Sequence, residues 1–203
     1  MSLLPLAWVA GAWLLGTIPF ALLAARLTGG PDPRSVADGN PGATNAFRAA
    51  GRAAGILATI LDISKGAAPV AAGILLGVLP GWWLALGIVA PVVGHCWSPW
   101  LRGRGGKGVA TTYGVLLPVA FPAGVVLMPL LLVVAWKVIA PDGWAAALAA
   151  GGAVLVVALT GAPLPAIAGA AVCAAIIASR YRDLMGGGPR LRTRGGTDGE
   201  PRP

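Results

Sequence analysis

Seven apolar blocks occupy most of the chain, at residues 3–27, 56–79, 81–97, 108–120, 121–139, 144–161 and 163–180, each closed by polar residues or by Pro and Gly. A hydrocarbon core of about 30 Å takes ~20 apolar residues per helical crossing, so blocks of this kind read as membrane spans. They are continuous runs of Ala, Leu, Val and Gly, unlike the alternating apolar and polar positions of a barrel strand. The expected fold class is therefore all-α: a polytopic membrane protein with seven transmembrane helices, residues 1–185 forming a single integral membrane domain. With 57% of 203 residues hydrophobic, a large extramembrane domain is excluded. The 31 Gly and 18 Pro fit a membrane bundle, where small residues let helices approach and neighbours satisfy freed backbone groups. The fourth block is short, and Pro118, Pro122 and Pro129 leave open a single kinked unit over 108–139.

Charge placement favours seven spans. Arg26, Arg34, Arg48, Arg52 and Lys65 follow the first block, Arg102, Arg104 and Lys107 follow the third, Lys137 ends the fifth, and six arginines follow the seventh. The opposite turns, 79–81, 118–122 and 159–165, hold no Lys or Arg. By the positive-inside rule this gives an outside N-terminus and a cytoplasmic C-terminus. Residues 1–13 carry no Lys or Arg, which suits a retained first span rather than a cleaved signal. Residues 186–203 are Gly/Pro-rich and basic, and are expected to form a disordered cytoplasmic tail. Cys96 and Cys173 show no metal-ligand or disulfide spacing and read as buried thiols.

The acids fall on the same side as the cations, and no ionisable residue is expected near the middle of a span. Coupled transporters and channels usually keep polar groups at the midplane, so this distribution favours an enzyme working at the membrane surface. The net charge of +8 follows from topology, and nucleic-acid binding is not expected.

Two loops carry the candidate chemistry. In the first, residues 31–52 read PDPRSVADGNPGATNAFRAAGR. Gly39 and Gly42 permit unusual backbone angles, Thr44 or Asn45 can cap a following helix, and Arg48 lies one turn on. This is either an ordinary capped turn or a helix start suited to phosphate. In the second, residues 94–114 read GHCWSPWLRGRGGKGVATTYG. Gly105 and Gly106, followed by Lys107 and Gly108 at a helix opening, can form a nest of backbone donors beside an ammonium group. The glycine spacing is not that of a Walker A loop, and membrane anchoring alone would not require the glycines. Asp62 and Lys65 can pair on one helical face as an interfacial structural pair. His95, the lone histidine, reads as a half-buried interfacial residue or as a catalytic one.

Taken together, GTIPF (16–20), GNPGATNAFRAAG (39–51), LDISKG (61–66) and GHCWSPWLRGRGGKGVAT (94–111) resemble, in order, the motifs of PlsY, the bacterial acyl-phosphate:glycerol-3-phosphate acyltransferase family. The resemblance implies transfer of a fatty acyl group from acyl phosphate to the 1-hydroxyl of glycerol 3-phosphate, giving lysophosphatidic acid for phospholipid synthesis. It implies a multi-pass protein of the bacterial inner membrane with its active site on the cytoplasmic face, in contact with an enzyme that produces acyl phosphate. No metal or cofactor is implied. By similarity, Lys107, Arg48 and His95 are catalytic, and Asn40, Thr44, Asn45, Gly105, Gly106 and Gly108 handle substrate phosphate.

The chain departs from the family pattern at several places. Asp38 stands where the family has a serine, which should repel phosphate unless an arginine pairs with it. Residues 140–148, APDGWAAAL, lack the family's hydroxyl-bearing segment. Ser179 and Arg182 replace a histidine and an asparagine. These changes raise the alternative of a non-catalytic or altered-acceptor relative that binds lipid phosphates. A permease for small phosphorylated solutes is a third reading, disfavoured by the charge-free midplane.

Overall fold

The computed structural model describes residues 3–192. Helix α1 (Leu4–Thr17) ends where Pro19 cannot donate a backbone hydrogen bond, and α2 (Phe20–Leu27) resumes at an angle of 44°. The break frees carbonyls in an apolar setting, so side chains must satisfy them. The Ser98 hydroxyl donates to the Thr17 carbonyl at 2.6 Å, and Lys65 Nζ donates to the Ile18 carbonyl at 2.9 Å. The Trp100 indole N–H reaches Thr17 Oγ1 at 2.9 Å. The break within GTIPF is thus pinned by Lys65 from the helix over 43–75 and by Ser98 and Trp100 from the loop over 97–108.

Helix α3 (Ala43–Leu75) is kinked at Gly51, whose φ of +84° only glycine adopts readily. Then come α4 (Trp83–Cys96), α5 (Val109–Ala120), α6 (Ala123–Val138), α7 (Asp142–Leu159) and α8 (Leu164–Tyr181). The main packing pairs are α1 with α4, α3 with α5, α2 with α3, α6 with α7, and α8 with both α4 and α7. Close approach of α3 and α5 depends on Gly66 and Gly114, where a Cβ would run into the Thr111 and Ile63 carbonyls respectively. Ile88, Val92, Val115, Leu116 and Val157 form the buried centre.

Among the described residues, four helices are long and apolar enough to cross a bilayer, and the bent α1–α2 pair makes a fifth. Helices α5 and α6 are apolar but shorter. They do not form one kinked rod: Gly108 and Trp136 line the same cavity, whereas 28 residues of continuous helix would separate them by roughly 40 Å. The segment doubles back.

Two expectations are corrected. Asp62 and Lys65 lie inside α3 at 2% exposure each, so ionisable residues do occur within an apolar helix, tolerated because they pair and hydrogen-bond. The residues after 186 are not uniformly unstructured: strand β2 (Arg190–Leu191) pairs antiparallel with β1 (Ile139–Ala140), and Arg192 bonds Asp142 at 2.6 Å. The rest of the expected tail, 193–203, lies outside the described residues.

Candidate functional site

The first loop is organised by Asn45. Its buried side-chain amide donates to the Val36 carbonyl at 3.2 Å and to Asp38 Oδ1 and the Asn40 carbonyl at 3.0 Å each. Asp38 Oδ1 also accepts from the Asn40 backbone N–H at 3.2 Å. The loop therefore turns tightly before α3, with Gly42 as its N-cap residue. Arg48 donates to Asn45 Oδ1 at 3.4 Å and is exposed. Asn45 is thus a scaffold of the loop rather than a free phosphate ligand.

The second loop uses its glycines differently from the expected nest. The amides of Gly105 and Gly106 donate to the Cys96 and His95 carbonyls at 3.1 and 3.2 Å, closing the C-terminus of α4. A Cβ at Gly105 would clash with the His95 carbonyl, and one at Gly106 with the His95 ring. These glycines are required by close packing, and their N–H groups are already used. The Gly105 carbonyl accepts from Arg180 Nη2 at 2.8 Å, and the Arg180 guanidinium lies 5.8 Å from the Trp97 ring. The chain then delivers Lys107 and, through Gly108 at φ +85°, starts α5.

Between these loops lies a cavity of about 360 Å³. Its polar end, the mouth, is lined by Asn40, Thr44, Lys107 and the openings of α3 and α5 at Gly42–Ala43 and Gly108–Ala110, with buried His95 in the wall beside it. Asp62, Thr59 and Thr112 also line the cavity, and the rest of the lining away from the loops is mostly apolar. Leu116 lines it from α5, Met128, Leu132 and Trp136 from α6, and Ile177 and Tyr181 from α8. A stripe of Ala146, Ala149, Ala150 and Ala153 along one face of α7 leaves the space open. Two helix N-termini plus an ammonium group attract an anion, and the slot behind them accepts an alkyl chain.

Lys107 is held at this mouth by an ion pair with Asp38, and its Nζ lies 4.7 Å from the Tyr181 ring centroid. Burial would raise the Asp38 pKa, but the hydrogen bond and charge of Lys107 outweigh it and hold the carboxyl below the usual range. The Asp38 carboxylate is therefore compensated, by a lysine from the other loop rather than by an arginine. Beneath the mouth, Asp62 pairs with Lys65 at 2.7 Å, and its Oδ1 is 3.6 Å from His95 Nδ1. With the Lys65 bond to Ile18, this buried group ties α3, α4 and the α1–α2 break into a floor.

Of the residues singled out from sequence, Asn40, Gly42, Thr44, Asp62, His95, Lys107 and Gly108 meet at the cavity. Asn45, Arg48, Gly105 and Gly106 stand behind or beside it in supporting contacts. Ser179 bonds its own helix at Ile176 and is exposed, and Arg182 is exposed beside Asp183 at 3.4 Å; neither lines the cavity. Sequence reasoning missed Arg180, Tyr181 and Thr112. A cation and an aromatic at a helix end read as membrane anchors, and a threonine one turn into α5 carries no signal until the cavity is seen.

Comparison with known proteins agrees with this geometry. A model of the family described as glycerol-3-phosphate acyltransferase matches residues 6–186. A glycerol-3-phosphate acyltransferase of Klebsiella pneumoniae is 46% identical over 108 residues, 53% of this chain and 52% of that protein. One from Enterobacter is 44% identical over 110 residues, 54% of each chain. The chain thus spans about half the length of these curated relatives. Among solved structures, crystals of PlsY, an integral membrane glycerol 3-phosphate acyltransferase, match over 88% of both chains. Its glycerol 3-phosphate form is 34% identical with a TM-score of 0.78. Its lysophosphatidic acid form is 32% identical with a TM-score of 0.77.

Proposed function

We propose that this chain, which belongs to the glycerol-3-phosphate acyltransferase family, transfers a fatty acyl group from acyl phosphate to the 1-hydroxyl of glycerol 3-phosphate. The product is lysophosphatidic acid for phospholipid synthesis. The observation that carries this reading is one cavity with a mouth suited to anions and a largely apolar interior suited to an alkyl chain. Both substrates carry phosphate, and one carries a fatty chain. An acyl phosphate is already activated, so alignment of the hydroxyl with the carbonyl supplies much of the acceleration without a Ser or Cys nucleophile. Lys107 and the starts of α3 and α5 hold phosphate. His95, on the cavity wall, faces the acceptor, and exposed Arg48 draws anions towards the mouth.

The charge asymmetry supports seven spans in a bacterial inner membrane, counting the bent α1–α2 pair as one and α5 and α6 as two. It also supports an outside N-terminus, a cytoplasmic C-terminus and a mouth opening to the cytoplasm. A reaction of this kind calls for an enzyme that supplies acyl phosphate as its partner. The test is purified protein in detergent given acyl phosphate and labelled glycerol 3-phosphate, beside Lys107→Ala and an active family member. Labelled lysophosphatidic acid from the wild type, and at least tenfold less from Lys107→Ala, is the expected result. No product from the wild type, with the control active, overturns the reading.

A further inference from the structure

Helix α5 carries three cavity-lining residues in register: Gly108 at its start, Thr112 one turn in and Leu116 one turn further. Successive members are about 6 Å apart along the axis. Gly108 belongs to the anion-binding mouth and Leu116 to the apolar slot, so Thr112 stands where one gives way to the other. It is 4% exposed, and its Oγ1 has no hydrogen-bond partner among the described residues. A buried hydroxyl left unpaired in the folded protein is costly, and in a cavity wall it points to a ligand group that completes it. Thr111 also has an unpartnered hydroxyl, but it does not line the cavity.

We infer that the Thr112 hydroxyl donates a hydrogen bond to the acyl carbonyl oxygen at the reacting centre. This rests on the acyl phosphate reading above. In that substrate the carbonyl lies between phosphate and alkyl chain, so it must sit where the polar mouth meets the slot. The acceptor hydroxyl oxygen attacks the acyl carbon, and negative charge develops on the carbonyl oxygen. The carbon–oxygen bond to phosphate then breaks, the ester bond remains, and the hydroxyl proton ends on the released phosphate. A donor aimed at the developing oxyanion acts in the transition state more than in the bound ground state.

The test compares wild type, Thr112→Val and Thr112→Ser in steady-state assays with acyl phosphate and glycerol 3-phosphate, each with a melting temperature. Loss of one oxyanion donor costs on the order of 100-fold in kcat, so Thr112→Val is expected to fall by at least tenfold with both KM values within about threefold of wild type. Thr112→Ser should recover most of the rate. Because valine removes an unpaired hydroxyl, its melting temperature should equal or exceed that of wild type, which separates lost chemistry from lost folding. If wild type is active and Thr112→Val matches it, or shows only a raised KM for glycerol 3-phosphate, the assignment fails while the functional reading stands. A parallel loss of kcat and melting temperature in Thr112→Val, unrescued by Thr112→Ser, also overturns it. If wild type does not use acyl phosphate, both fall together.

Discussion

Replacing Asp38 by Asn removes the charge that neutralises Lys107 while keeping an oxygen for the Asn40 N–H. A phosphate seated on Lys107 lies close to the Asp38 carboxylate and must share or displace it. Two unit charges 4 Å apart interact by about 4 kcal/mol at an effective dielectric of 20, the value suited to the protein periphery. The Lys107 and Asp38 side chains are 16% and 28% exposed, so solvent screening reduces this to about 1–2 kcal/mol. The expected result is a KM for acyl phosphate about 5–30-fold lower in Asp38→Asn, with kcat within about threefold. Initial rates over a range of acyl phosphate at fixed glycerol 3-phosphate and fixed ionic strength measure it. Raising the salt should shrink the difference. A KM unchanged or raised in Asp38→Asn would refute the idea that Asp38 competes for Lys107, and would mean instead that it positions the lysine for substrate.

The same pair has a pH signature. The folded pKa of Asp38 lies below its unfolded value, so its contribution to stability is present above about pH 4 and is lost as pH falls through the depressed folded pKa. The stability difference between wild type and Asp38→Asn, read by thermal unfolding in detergent, should be constant from pH 5 to 8 and shrink in acid; a difference growing in acid contradicts the pairing. Lys65→Met leaves Asp62 buried without its cation and the Ile18 carbonyl without a donor, and should cost about 3–5 kcal/mol, while Asp62→Leu combined with Lys65→Met should cost less. Equal losses in the single and double variants would argue against the ion pair as the floor of the site. Ala153→Leu fills the slot at the α7 position farthest from the mouth, and each methylene denied burial costs about 0.8 kcal/mol, or roughly fourfold in kcat/KM. Donor preference should move to shorter chains; an unchanged profile would show that the chain lies elsewhere.

Much of this architecture was legible in the sequence because a bilayer imposes a coarse rule on composition. Apolar blocks marked the helices, and the two glycine-rich loops picked out from sequence both line the candidate cavity. What the residues did not disclose was which polar groups are spent on the fold. Asn45 looked like a ligand until its amide was found bonded to three loop acceptors, and the Gly105 and Gly106 amides close α4. Such assignments depend on where carbonyls end up after folding, information with no local trace. The pairing of Asp38 with Lys107 spans 69 residues, so the carboxylate read as a defect while its partner was unknown. Likewise, the Ser98 and Lys65 contacts explain the α1–α2 break only after α3 and α4 are in place.

The central claim is that one cavity receives phosphate at its mouth and the acyl chain in its slot. An experimental structure with a non-hydrolysable acyl phosphonate bound tests it directly. The phosphonate is expected between the starts of α3 and α5 and on Lys107, with the chain running past Leu116 and Leu132 along the alanine face of α7. A phosphonate bound away from Lys107, or a chain lying outside the α5–α8 slot, would contradict the claim.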